Sequence, residues 1–159
     1  MKVIVISDTH GNVNRLKDVV EMNKDADMFL HLGDGAEEFF EIQKLYPNLS
    51  MNIVRGNCDL GYGYIPNYKM FEIGSHKIFA SHGYMHNVKD GIDNYVEFAR
   101  GNNADIILYG HTHERLTKNK DNLYIMNPGS LSRPRGFGPS YGILNIGDDV
   151  IMEIVEYEN

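Results

Sequence analysis

Five short segments carry most of the chemistry that this sequence can offer. They are Asp8-Thr9-His10, Gly33-Asp34, Gly56-Asn57-Cys58-Asp59, Ser81-His82-Gly83 and Gly110-His111-Thr112-His113. Each places oxygen or imidazole donors at the end of an apolar run. In extended chain, residues i and i+2 point to the same side, about 6.6–7 Å apart. On that geometry Asp8 with His10, and His111 with His113, each aim two donors at one cavity, while Thr9 and Thr112 face away. Singly these segments are ordinary. Asp-x-His is a common capped turn, Gly-Asp a common turn, and Asn57 a turn residue or cap. Together they make a mixed carboxylate, amide and imidazole set, which suits Mn²⁺, Fe²⁺ or Zn²⁺. The one cysteine, Cys58, excludes a thiolate-rich structural zinc site and an internal disulfide.

The elements that must position these donors follow from hydrophobic periodicity. Val3–Ile6, Asp27–Leu32 and Ser50–Val54 read as buried strands that end at Asp8, Asp34 and Asn57. Between them, Asn14–Met22 and Ala36–Leu45 carry apolar residues at helical spacing. Strand, helix, strand at this spacing predicts parallel strands joined by right-handed crossovers. Their C-terminal ends then share one rim, where open α/β sheets bind ligands. Lys69–Ile73 and Lys77–Ser81 predict a hairpin around Gly74-Ser75, Val88–Arg100 a helix, and Asp105–Tyr109 a strand. Leu123–Met126, Ser140–Ile146 and Val150–Tyr157 predict a closing run of antiparallel strands.

Composition sets the outer bounds. A chain of 159 residues suits one domain, 1–159, with a core large enough to need no stapling. Net charge is −7, which argues against a binder of long nucleic acid. The first residues hold too short an apolar run for a signal peptide, and no stretch approaches the length of a membrane helix. One cysteine in the chain points to a reducing compartment, the cytoplasm.

Asp8-x-His10, Gly33-Asp34, Gly56-Asn57-x-Asp59, His82-Gly83 and Gly110-His111-x-His113, in this order, resemble the motifs of the calcineurin-like metallophosphoesterases. Cys58 and the short length resemble the small YfcE-like phosphodiesterase branch. Asn127-Pro128-Gly129-Ser130 with Arg133-Pro134-Arg135 is similar to that branch's late loop. The resemblance implies an α/β fold, a four-layer α/β/β/α sandwich of two mixed sheets. It also implies two divalent metal ions, manganese foremost, with Fe, Zn, Ni or Mg as alternatives. Asp8, His10 and His113 would hold the first ion, Asn57, His82 and His111 the second, and Asp34 would bridge both. The implied activity is phosphodiesterase, a bridging hydroxide attacking a small phosphodiester. The alternatives are a protein-interaction scaffold of the same fold and a nuclease for short nucleotides.

Several residues keep open roles. Larger relatives carry histidine where this chain has Cys58. The thiol is a candidate acid, and a small buried packing residue is the favoured reading. Arg133 and Arg135 could grip a phosphate or lie idle on the surface. Tyr62 and Tyr64 read as an aromatic wall or as packing and oligomer contacts, which leaves room for a homo-oligomer. Asp59 reads as a turn cap or an orienting group. His31 reads as a core histidine, His76 as solvated at a hairpin turn, and His86 as near the substrate. Tyr84 stands where relatives often have histidine.

Overall fold

The computed structural model describes residues 1–158. Ten strands and three helices build it: β1 (Lys2–Ile6), α1 (Val13–Met22), β2 (Met28–His31), α2 (Ala36–Leu45), β3 (Met51–Ile53), β4 (Tyr68–Ile73), β5 (His76–Ser81), α3 (Asp93–Gly101), β6 (Ile106–Leu108), β7 (Arg115–Lys120), β8 (Leu123–Pro128), β9 (Ser140–Ile146) and β10 (Val150–Glu156). They form two five-stranded sheets, in the orders β10-β9-β1-β2-β3 and β4-β5-β6-β8-β7. Both are mixed. The first has parallel β1, β2 and β3, with β9 antiparallel to β1. The second has parallel β5, β6 and β8 between antiparallel β4 and β7.

Alternation along β1 explains the layering. Val3 and Val5 point between the sheets and pack with Leu30, Ile78, Ile106, Leu108 and Met126. Ile4 and Ile6 point outward, under Leu16, Val19 and Val20 of α1 and Phe39 and Ile42 of α2. On the far side, Phe79, Ile107 and Ile125 pack under Tyr95 and Ala99 of α3. Strands buried on both faces need apolar residues at every position, hence the continuous runs. The result is the expected α/β/β/α sandwich of two mixed sheets. No helix among the described residues is long and apolar enough to cross a membrane.

One strand is added and two local expectations are corrected. The polar segment Arg115–Lys120 forms edge strand β7, which hydrophobic patterning does not reveal because most of it is exposed. It turns into β8 through Asp121 and Asn122, at φ 54° and 58°, the left-handed pair that tight hairpins favour. β8 then belongs to the second sheet, beside β6 and β7, not to a closing antiparallel run with β9 and β10. The third helix starts at Asp93 rather than Val88, because Asn87 (φ 52°) and Gly91 (φ 139°) interrupt helical backbone.

Candidate metal centre

All the singled-out loops meet on one rim. Asp8 N donates to Gly33 O at 3.0 Å and His10 N to Asp34 O at 3.0 Å, which ties the loops after β1 and β2. Gly110 N donates to His82 O at 3.1 Å and Leu131 N to Ser7 O at 3.2 Å, which brings in the second sheet. The backbone here is not extended. Asp8 (φ 55°), His10 (φ 41°), Asp34 (φ 59°), His111 (φ 67°) and His113 (φ 61°) all lie in the left-handed region. The same-side reading of i and i+2 is therefore replaced by tight left-handed turns. Each such residue costs about 1–2 kcal/mol relative to right-handed backbone, so surrounding bonds must hold it.

Two buried carboxylates, Asp59 and Glu38, supply those bonds for the loops after β1 and β2, and Asp8 Oδ2 holds the later loop through His111 N. Asp59 accepts four backbone N–H groups: Gly35 and Ala36 on Oδ1, both at 2.9 Å, and Asp34 and Gly56 on Oδ2, at 2.9 and 2.7 Å. This cluster also meets the free N–H groups at the start of α2, which has no side-chain cap of its own. Glu38, facing inward from α2, accepts from Thr9 Oγ1 at 2.5 Å and Gly11 N at 2.7 Å. Behind it, His31 Nδ1 accepts from Gly33 N, so its Nε2–H donates to Thr9 Oγ1 at 2.9 Å. His31 is thus the satisfied core histidine expected. Close approach also demands small residues. A Cβ on Gly56 would strike Asp34 Oδ1, and one on Gly110 would strike Ser7 Oγ.

Asp59→Asn leaves one acceptor oxygen and turns an NH₂ toward two buried N–H donors. We expect a loss of about 2–6 kcal/mol, a fall in melting temperature of roughly 5–20 °C for a chain this size. A melting shift within about 2 °C in thermal denaturation would show that the loops stand without this carboxylate.

The donors themselves fall into two groups. In the first, His113 Nε2 lies 3.1 Å and His10 Nε2 3.7 Å from Asp8 Oδ1, and the two imidazole nitrogens are 3.2 Å apart. Asp8 Oδ2 is occupied by Ser7 Oγ at 2.6 Å and His111 N at 3.0 Å. Asp8 Oδ1 is fully buried without a hydrogen bond. In the second, His82 Nε2 lies 3.1 Å from both Asn57 Oδ1 and His111 Nδ1. Asp34 Oδ2 stands between the groups, 3.4 Å from His82 Nε2 and 3.9 Å from His10 Nε2. Two of the histidines have their tautomer set from behind. His82 Nδ1 donates to Leu32 O and His113 Nδ1 to Arg133 O, each at 2.7 Å, so each turns the Nε2 lone pair inward. Lone pairs and carboxylate oxygens converging with so few protons between them are what a cation satisfies, so these residues fit divalent ions.

The electrostatics of the two aspartates and of His111 agree. Burial works against ionised Asp8, yet contacts from His10 and His113 hold its carboxyl well below the usual range. Burial opposes ionised Asp34 too, and His82 holds its pKa down at about 2. Burial and then the neighbouring His82 push His111 down to about 4, leaving a neutral imidazole at neutral pH. Both aspartates are charged and His111 is neutral, the states that metal ligation requires. Against its burial His82 is pushed up by Asp34, and His113 is pushed up by Asp8; both would give up that extra proton affinity to a bound ion.

The remaining expected residues are placed differently. Cys58 is exposed, not buried packing. Its backbone N donates to Asp34 Oδ1 at 2.7 Å, and its sulfur lies within 4.8 Å of donor atoms of His10 and Asp34. Partial burial and then the Asp34 carboxylate push its thiol up to about 11. Cys58, Leu60, Tyr62 and Arg133 line a cleft of about 420 Å³ beside His10 and Asp34. Tyr62 stacks on Phe40, with ring centroids 5.8 Å apart. The Arg133 side chain is exposed, and its carbonyl orients His113. His76 is not simply solvated: its Nδ1 lies 2.6 Å from Asp105 Oδ2. His86 packs against Phe98 and Tyr95. Glu38 and Ser7 had no distinguishing local pattern in the sequence, and Ser130 of the late-loop motif donates to Asp8 O at 2.8 Å.

The calcineurin-like phosphoesterase superfamily domain matches residues 1–149. The chain belongs to this superfamily. Among its relatives is a probable metallophosphoesterase, YsnB, of Bacillus subtilis, 32% identical over 94% of this chain and 86% of its own length. The phosphodiesterase YfcE of Escherichia coli is 28% identical over 97% of this chain and 91% of its own length. A predicted phosphoesterase from Streptococcus pneumoniae superposes with a TM-score of 0.84 at 28% identity, covering 98% of this chain and 88% of that one. As a calcineurin-like phosphoesterase, the chain is a metal-dependent hydrolase of phosphoric esters by family, and the rim described above is where its donors gather.

Proposed function

We propose that the chain is a phosphodiesterase that acts on a small phosphodiester with two divalent ions, manganese foremost. The observation that carries this reading is the pair of three-donor groups sharing Asp34. Asp8, His10 and His113 would hold one ion, and Asn57, His82 and His111 the other. When bound, the ions would supply positive charge at the phosphoryl oxygens and a nucleophile at neutral pH for in-line displacement. The chain's own residues do the rest. Asp8 and Asp34 bring the negative charge that attracts the ions. Leu32 O and Arg133 O fix the imidazoles of His82 and His113, and Asp59 and Glu38 hold the loops after β1 and β2 in their left-handed turns. The open cleft beside His10 gives one ester arm a place. A net charge of −7 favours a small diester over long nucleic acid. A single exposed thiol and no disulfide fit the cytoplasm.

The test is metal content together with turnover of bis(p-nitrophenyl) phosphate under each divalent metal, beside a short oligonucleotide. Two ions with turnover of the aryl diester supports the reading. Two ions without turnover of any diester would leave a scaffold, and rapid oligonucleotide digestion would make it a nuclease.

His111 and His113 are expected to serve different ions despite standing two residues apart. His113→Ala should remove the first binding step for Mn²⁺ and His111→Ala the second, as read by titration calorimetry. Both imidazoles on one ion in a metal-loaded crystal structure would overturn the assignment.

A further inference from the structure

Three arginines are half-buried: Arg15, Arg55 and Arg115. Arg15 donates to Leu131 O at 3.0 Å and lies over the Tyr157 ring. Arg115 pairs with Glu156 at 3.1 Å and lies over the Phe137 ring at 4.0 Å. Among the described residues, the Arg55 guanidinium has no hydrogen bond, no carboxylate within 4.0 Å and no aromatic ring beneath it. Its backbone is fixed, because Arg55 N donates to Pro66 O at 2.9 Å. Its Nη1 lies 3.7 Å from where a Cβ on Gly63 would stand. Together with Asn57, Leu60, Gly63 and Tyr84 it lines a recess of about 460 Å³.

That recess opens on the second donor group. Asn57 belongs to both, and the Tyr84 ring lies 6.0 Å from the His82 ring and 6.3 Å from that of His111. The only acid in its wall is Asp59, whose oxygens are already taken by four N–H groups. The cleft on the other side, beside His10, has Arg133 in its wall too, but there it is outnumbered by Asp34, Glu37 and Glu38. The two arms of the site therefore differ in charge. A guanidinium presents five donors in a planar fork that matches phosphate and carboxylate oxygens. Its nitrogens are reached by water and are held by no protein acceptor, so an anion entering the recess can pair with the guanidinium without breaking an internal bond.

We infer that Arg55 forms an anion subsite, and that the preferred substrate is a phosphodiester bearing a further phosphate on the arm that lies beside Asn57. This rests on the phosphodiesterase reading above and extends it to a substrate class. The test compares thymidine 5′-(p-nitrophenyl phosphate) with the same compound carrying a 3′-phosphate. The added phosphate should lower KM by about tenfold or more, the worth of one charge-assisted contact, with kcat little changed. Arg55→Met should abolish that difference and Arg55→Lys keep part of it. Turnover of bis(p-nitrophenyl) phosphate, which has no such group, should stay within about twofold. Calorimetric binding of thymidine 3′,5′-bisphosphate against thymidine 5′-monophosphate, in the presence of Mn²⁺, reads the subsite without catalysis. Diesters turned over with no gain from the 3′-phosphate would overturn the subsite and leave the activity standing. A bisphosphate preference that needs Arg55, with no diester turned over, would keep the subsite and overturn the activity. A carboxylate in place of the 3′-phosphate giving the larger gain would overturn the choice of phosphate.

Discussion

Asp34→Asn is expected to abolish both binding steps for metal and to cost more activity than Asp8→Asn. Asp34 Oδ2 stands 3.4 Å from His82 Nε2 and 3.9 Å from His10 Nε2, so its charge serves both donor groups. Asp8 Oδ1 faces chiefly His113 and His10, at 3.1 and 3.7 Å. The asparagine keeps an oxygen for the bond from Cys58 N, so the loop has no cause to unfold and the lost charge is what the experiment reads. Each ion contributes several kcal/mol of charge stabilisation, so losing occupancy of both should cost about 10³-fold or more in kcat/KM. Equilibrium dialysis for metal stoichiometry and steady-state kinetics on an aryl diester are the measurements. Equal residual activity and equal metal content in the two variants would overturn the shared position of Asp34.

The second large effect lies in the leaving group. A thiol held near 11 is protonated at neutral pH but a poor match for general acid catalysis, which works best with a pKa near the operating pH. The departing oxygen then leaves with its charge met by the ions and by water. Rate should fall steeply as leaving-group pKa rises, and aryl diesters should far outpace alkyl diesters. A general acid contributes about 10²–10⁴-fold, so its absence is easily seen across such a series. Cys58→Ser and Cys58→Ala should change little with an aryl substrate. Cys58 is exposed at the cleft, so Cys58→His can be accommodated, and it should flatten the dependence. A flat series in the wild type that becomes steep in Cys58→Ala would identify the thiol as the acid.

Much of the site was legible before any fold was known, and the reason is chemical. Asp, Asn and His at the ends of apolar strands are costly to spend on packing, so their conjunction carries information that no single one does. The strands β1, β2 and β3 and the helix α2 were equally legible, because burial on both faces leaves continuous apolar runs and a helix leaves its own period. The two-sheet sandwich came through resemblance to the calcineurin-like phosphoesterases rather than through periodicity. A local pattern says that Leu123–Met126 is a strand but not which sheet it joins. Arg115–Lys120 has no inward face to betray it.

What only the tertiary structure decided is the backbone of the ligand loops and the groups that hold it. Residue type does not predict left-handed φ at Asp8, His10, Asp34, His111 and His113. That conformation is unfavourable locally and persists because bonds from distant segments outweigh it. Glu38 carries no local signal, and its worth lies in reaching Thr9 and Gly11 from α2. Asp59 looked like a turn cap, and it gathers N–H groups from two loops that lie far apart in sequence. Cys58 looked like packing, and it stands at the open edge of the cleft. In each case the local sequence specified which atoms were available, while partner and exposure depended on contacts between segments that only folding brings together.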